Sequence, residues 1–353
     1  MPDRAEGGVL KPKSDIASPM TFDPAILLPL IFAGLMGFAV LVYVILDGFD
    51  LGVGILFTAA TDEERDTMVA AIGPFWDANE TWLVLAIGLL LVAFPAAHGI
   101  VLSALYIPVV VMLISLILRG VAFDFRAKVD LHLKPRWNFA FSIGSITASM
   151  AQGYMLGVYV LGLDQSWTGI LFGLLVGLCL TASYAAIGAA WVIHKTEGEL
   201  QHKAVLLMRR SLVFVALGMV AISLATPMAS PRIFAKWFSL PEMVLLAPLP
   251  LVTVALFAAL WSVLGRMPAV GDRHSALPFV MMAGIFTLGF AGLAYSFYPY
   301  VVPERLTIFA AASAPESLGI ILVGVIVVLP VIIGYSIFAY RVFGGKAREL
   351  RYD

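Results

Sequence analysis

Long apolar stretches alternate with short polar ones along almost the whole chain. Runs free of Asp, Glu, Lys and Arg cover residues 24–46, 81–118, 137–163, 165–194, 211–231, 243–265, 275–303 and 317–340. Each has room for about 20 helical residues, the length that crosses a hydrocarbon core of roughly 30 Å. The run 81–118 is long enough for two spans, and Pro95, His98 and Gly99 offer the turn between them. The pattern predicts an all-α integral membrane protein with about nine transmembrane helices in one bundle. The first helix is expected to continue past residue 46, with residues 48–57 as its end near the membrane interface. A polar amino-terminal tail (1–22), a single transmembrane domain (23–341) and a carboxyl-terminal tail (342–353) complete the expected organisation. The apolar stretch after the first tail is too long for an ordinary cleavable signal.

Composition strengthens the membrane reading. The 353 residues are 61% hydrophobic and 13% charged, against roughly a quarter charged in ordinary soluble proteins. A net charge of -1 gives no electrostatic case for a nucleic-acid partner. If the spans alternate, one side of the membrane receives 16 of the Lys and Arg residues and the other side 6. The positive-inside rule then puts the carboxyl terminus in the cytoplasm and the amino terminus outside, which requires an odd number of spans. Cys179 is the only cysteine, so an intrachain disulfide and a multi-cysteine metal site are both excluded; its expected role is packing. Gly169, Gly173 and Gly177 recur at helical spacing, a pattern that lets helices approach closely in lipid.

Several polar groups need a reason to lie in or beside hydrocarbon. Asp47 and Asp50, in DGFDLGVG, share a helical face with Tyr43 and Gly54. They are either interfacial carboxylates bonded to nearby backbone or members of a proton relay or helix–helix contact. The stretch GPFWDANETWLV sets Asp77, Asn79 and Glu80 between Trp76 and Trp82 at the mouth of the second span. Tryptophans at the headgroup level and acids at a helix amino end explain part of this. Three strong polar groups in four positions exceed what an anchor needs, and Asp77 is the foremost candidate for taking up protons, followed by Glu80. Arg119 closes the third span, where it either snorkels to the headgroups or pairs with a carboxylate or a partner's propionate. His98 is the only histidine well inside an uncharged run. One such residue beside a turn is poor support for haem ligation, which usually draws axial ligands from facing helices. No catalytic, cofactor-binding or metal-ligating residue is assigned, and no GxGxxG after a strand, P-loop or HExxH is present.

The segments FDPAILLPLIFAGLMGFAVLVYVILDGFDLGVGIL, GPFWDANETWLV and ISLILRGVAFDFR, in that order and spacing, resemble subunit II of the cytochrome bd quinol oxidases, including the cyanide-insensitive branch. The resemblance implies a subunit of a respiratory quinol:dioxygen oxidoreductase in the bacterial plasma (inner) membrane. A homologous subunit I carries two b-type haems, one d-type haem and the quinol-oxidising loop. Subunit II packs against it and binds no haem. Some members bind a structural quinone in subunit II, and a small single-helix accessory subunit is a further expected type of partner. By the same resemblance Asp47 and Asp50 match the family's DGFD acids, Asp77 and Asn79 its WD-x-N pair, and Arg119 its basic position at the end of the third helix. The Asp77 position is implied in conducting protons from the cytoplasm toward the haem site. Ala78 stands where members usually have glycine. Glu80 stands where some have glutamine, which adds a titratable group beside the intake. The rival classes are a proton-coupled secondary transporter, which helix count and hydropathy alone would allow, and a purely structural membrane protein.

Overall fold

A computed structural model describes residues 23–347. The tail 1–22 and the last six residues lie outside the described residues. Nearly everything else is helix: α1 (Pro24–Leu56), α2 (Asp62–Ile72), α3 (Trp76–Ala93), α4 (Pro95–Arg126), α5 (Lys134–Val160), α6 (Trp167–Lys195) and α7 (Gly198–Ala229) come first. They are followed by α8 (Pro231–Phe238), α9 (Glu242–Leu246), α10 (Pro248–Leu264) and α11 (Leu277–Phe297). A two-stranded hairpin, β1 (Tyr300–Val302) with β2 (Leu306–Thr307), then leads to α12 (Ile308–Ala311) and α13 (Pro315–Val342).

Among the described residues, eight stretches are long and apolar enough to cross a membrane, with α9 and α10 forming one of them. The more polar α5, at 27 residues, is a ninth long helix. The nine expected spans thus each find a long helix, although α5 does not qualify on apolarity. The break inside 81–118 falls at Phe94, between α3 and Pro95 at the start of α4. Proline suits a first helical turn because its missing N–H has no partner to lose there.

Local chemistry fixes the helix ends. The Asp23 carboxylate accepts from Ala25 N at 2.9 Å. Thr61 and Glu64 cap α2 reciprocally, with Thr61 N donating to Glu64 Oε2 at 2.7 Å and Glu64 N to Thr61 Oγ1 at 3.3 Å. Arg65 reaches back and donates to the Phe57 carbonyl at the end of α1 at 3.0 and 3.1 Å. The charged stretch 195–210 between two uncharged runs is mostly helix: Lys195 closes α6, and α7 starts at Gly198 and carries Lys203, Arg209 and Arg210. A search for uncharged runs sees only the apolar part of such a helix.

Two glycine contacts hold the middle of the bundle together. A Cβ at Gly52 would lie 1.9 Å from the Tyr184 carbonyl oxygen, so α1 and α6 meet backbone to backbone. A Cβ at Gly153 would lie 2.6 Å from the Gly177 Cα, which brings α5 equally close to α6 and bears out the small-residue pattern. The main core cluster joins α1, α2, α4, α5, α6 and α7 around Phe49, Phe75, Tyr184 and Trp191. Trp191 stacks on Phe49 with ring centres 4.3 Å apart and donates to the Ala71 carbonyl at 2.9 Å. This close packing carries the second half of α1 into the protein interior. Residues 47–54 are an unbroken part of α1, all buried within the bundle, and the helix continues past residue 46 as expected, ending at Leu56.

Candidate functional site

Residues distant in sequence converge where α1, α3 and α4 meet. Asp47 sits nine residues before the end of α1, roughly 14 Å along the helix axis at 1.5 Å per residue. Its side chain is fully buried, and so is that of Arg119 on α4. Arg119 Nη1 donates to Asp47 Oδ1 at 2.8 Å, while Nη2 bonds to Glu80 Oε1 on α3. The guanidinium also lies over the Trp76 ring, 5.9 Å from its centre. One cation thus clamps carboxylates from two neighbouring helices, the forked geometry for which arginine is suited.

Asp50, one turn after Asp47, takes a different partner. Asn79 Nδ2 donates to Asp50 Oδ2 at 2.8 Å, and Tyr340 Oη on α13 donates to Asn79 Oδ1 at 3.0 Å. Asp50 and Asn79 are each about 1% exposed. On the other side, Gln152 of α5 donates to Tyr43 Oη at 2.7 Å and accepts from Tyr184 Oη of α6 at 2.8 Å. Three carboxyl groups therefore lie in one cluster with a single guanidinium, which bonds to two of them, Asp47 and Glu80. Among the described residues, Asp47 Oδ2, Asp50 Oδ1 and Arg119 Nε are buried without a hydrogen-bond partner.

Of the six residues singled out in the sequence, five gather here: Asp47, Asp50, Asn79, Glu80 and Arg119. Asp77 does not; it is exposed in the first turn of α3, three residues before Glu80. Of the two acids, Glu80 lies inside the cluster and Asp77 at the surface, one turn before it. Arg119 pairs with carboxylates and does not snorkel. Tyr340, Gln152 and Tyr184 were not expected members. His98 is half-buried in the first turn of α4. Among the described residues no group of three His, Cys, Asp or Glu side chains is disposed to hold a metal ion.

A second polar cluster rims the same end of the bundle. Asp66 of α2 bonds to Arg126 at 2.7 Å and to Lys134 at 2.8 Å, and Glu64 to Lys203 of α7 at 2.6 Å. Partial burial pushes the Asp66 carboxyl up, but the Lys134 hydrogen bond and the Arg126 charge outweigh it and hold it below the usual carboxylate range.

The model of one family, cytochrome bd terminal oxidase subunit II, matches residues 28–343, which include the whole cluster. The cytochrome bd ubiquinol oxidase subunit 2 of Bacillus subtilis (strain 168) is 30% identical over 323 residues, 84% of this chain and 90% of the relative. The cytochrome bd-I ubiquinol oxidase subunit 2 of Escherichia coli (strain K12) is 32% identical over 183 residues, 47% of this chain and 48% of the relative. A chain in the structure of bd oxidase from Geobacillus thermodenitrificans shares the fold, with a TM-score of 0.73 at 18% identity over 90% of this chain and 98% of that one. The family match runs from the first long helix to the last and takes in every residue of the buried network, so the chain belongs to the cytochrome bd terminal oxidase subunit II family.

Proposed function

We propose that this chain is subunit II of a quinol:dioxygen oxidoreductase in the bacterial plasma membrane, where it scaffolds a haem-bearing subunit I and carries part of its proton supply. Two b-type haems and one d-type haem in subunit I would supply electron transfer and oxygen binding. The work of this chain is confined to protons and packing. The amino terminus lies on the periplasmic side and the carboxyl terminus in the cytoplasm. Asp77, Arg65, Arg126 and Lys134 then share the cytoplasmic face, where the protons consumed in forming water are drawn in.

The observation that carries this reading is the gradation of burial from Asp77 to Asp47. Asp77 is exposed; the Glu80 side chain, one turn further along α3, retains 31% exposure; Asp47, across the guanidinium, has none. Carboxyl groups one helical turn apart hand protons on directly or through a water. Arg119 holds Glu80 and Asp47 on either side of its fork, so a proton arriving at Glu80 loosens one arm of the clamp and leaves the other in place. Asp50 and Asn79 form a side branch ending at Tyr340.

Asp77→Asn and Glu80→Gln are expected to lower oxygen uptake per haem in purified membranes while leaving haem content largely intact. Full turnover in both variants would remove this line of acids from the path.

A further inference from the structure

The last carbonyls of an α-helix have no partner within it. At the end of α6 they are met by residues from elsewhere in the chain. Gln201 Nε2 donates to the Ile193 carbonyl at 2.9 Å. Lys346 Nζ donates to the carbonyls of His194 and Thr196, each at 2.9 Å. Ala347 N donates to the Lys195 carbonyl at 2.8 Å. Lys346 is also paired with Asp272, which accepts from Gln201 Nε2 at 2.6 Å. The end of α13 is closed from α6 in return. Lys195, 3% exposed, donates through Nζ to the carbonyls of Phe343, the residue after α13, and of Gly345. Each lysine thus caps the end of the other's helix, where a cation also suits the helix dipole.

The Lys195 ammonium lies over the rings of Phe75 and Trp191, 5.2 and 5.4 Å from their centres. The same two rings enclose Tyr340: Phe75 stacks on it at 4.5 Å and Trp191 meets it edge-on at 5.9 Å. Little else ties down this part of α13. Among the described residues of that helix only Leu318 and Ala339 are buried. Tyr340 nevertheless donates to Asn79 Oδ1, which leaves the amide Nδ2 aimed at Asp50. An amide released from Tyr340 is free to turn its oxygen toward the Asp50 carboxyl and replace a donor with an acceptor.

We propose that Lys195 and Lys346 form a reciprocal clasp that holds Tyr340 on Asn79, which makes both lysines positioning residues for the Asp50 branch of the buried cluster. Removing either lysine frees the end of α13, and the orientation of Asn79 toward Asp50 goes with it. The effect on turnover rests on the proton-relay reading, but the clasp itself is measurable without it.

The test uses the purified, intact complex carrying Lys195→Met, Lys346→Met or Lys195→Arg. Amide hydrogen exchange at the end of α13 is expected to quicken about tenfold or more in both methionine variants. Unchanged exchange would overturn the clasp. Lys346 is the more exposed of the two, so its variant carries the test if Lys195→Met fails to assemble. Oxygen uptake per haem is expected to fall about twofold or more in either methionine variant and to recover in Lys195→Arg, which keeps a cation able to reach two carbonyls. In a Tyr340→Phe background the methionine variants are expected to cause no further fall, because the contact through which they act is already gone. Losses that multiply in the double variants would mean general damage to the bundle and would overturn the positioning role. Parental turnover beside quickened exchange would overturn it as well. Parental turnover in Glu80→Gln, together with a Tyr340-dependent loss in the lysine variants, would sink the acid line and leave the clasp standing.

Discussion

Arg119 is fully buried and holds two carboxylates, so its removal leaves Asp47 and Glu80 facing each other with no cation between them. Breaking such a pair typically costs about 3–5 kcal/mol. Arg119→Gln is therefore expected to lower the thermal midpoint and haem retention of the complex sharply, with Arg119→Lys intermediate because a point charge cannot fork across both acids. A full-stability Arg119→Gln variant, measured by thermal melting in detergent, would contradict the clamp. The acids and the arginine were legible in the sequence because a charge in an apolar run demands a partner. Which acid would be inside was not legible. Asp77 and Glu80 differ by one turn on α3, and only the position of Arg119 on α4 decides which of them the guanidinium reaches. Gln152, Tyr184 and Tyr340 left no signal, because neutral polar side chains occur in apolar spans for many reasons. Their partners lie 109, 32 and 261 residues away.

At the level of elements, α1 depends on its glycine contact with α6. Gly52→Ala would drive a methyl group into the Tyr184 carbonyl, so the two helices must separate. The expected outcome is failure to accumulate in the membrane, read by immunoblot against Gly34→Ala, whose site is open. The ion pairs of Asp66 on α2 give a pH-dependent contact. Asp66 titrates below its unfolded value, so its ion pairs contribute stability above about pH 4. That contribution is lost as pH falls through its folded value. With the Asp66 side chain 44% exposed, solvent screening keeps the effect to about 1 kcal/mol or less. Asp66→Asn is thus expected to melt slightly earlier at pH 7 and to match the parent at pH values below the folded value; a gap that persists there would contradict the assignment. Helix number was readable from uncharged runs because lipid tolerates few exposed charges. Helix ends were readable only in part: α1 runs on past residue 46 to Leu56 as expected, whereas α7 starts in a charged segment that an uncharged run does not reveal. Burial of the second half of α1 by α5 and α6 is recorded in no local pattern.

For the whole molecule, the family match and the near-continuous bundle make this chain one member of a larger assembly. Its last long helix, α13, is largely exposed and apolar, with Ile320, Val323 and Ile326 each more than half exposed. Copurification is expected to bring down a haem-rich partner of similar size, whereas transport by the chain alone would favour a secondary transporter. The chain isolated from that partner is expected to show no haem absorption band, and a stoichiometric b-type spectrum would overturn the non-haem assignment. In the proposed function the exposed Asp77 feeds the buried Arg119 clamp through Glu80. The most direct test of that route is oxygen uptake per haem in the complex carrying Glu80→Gln, which keeps the side chain's shape and removes its titratable proton. The expected result is turnover several-fold below the parent with haem spectra unchanged. Parental turnover across the pH range, with Glu80→Gln correctly assembled, would contradict the account.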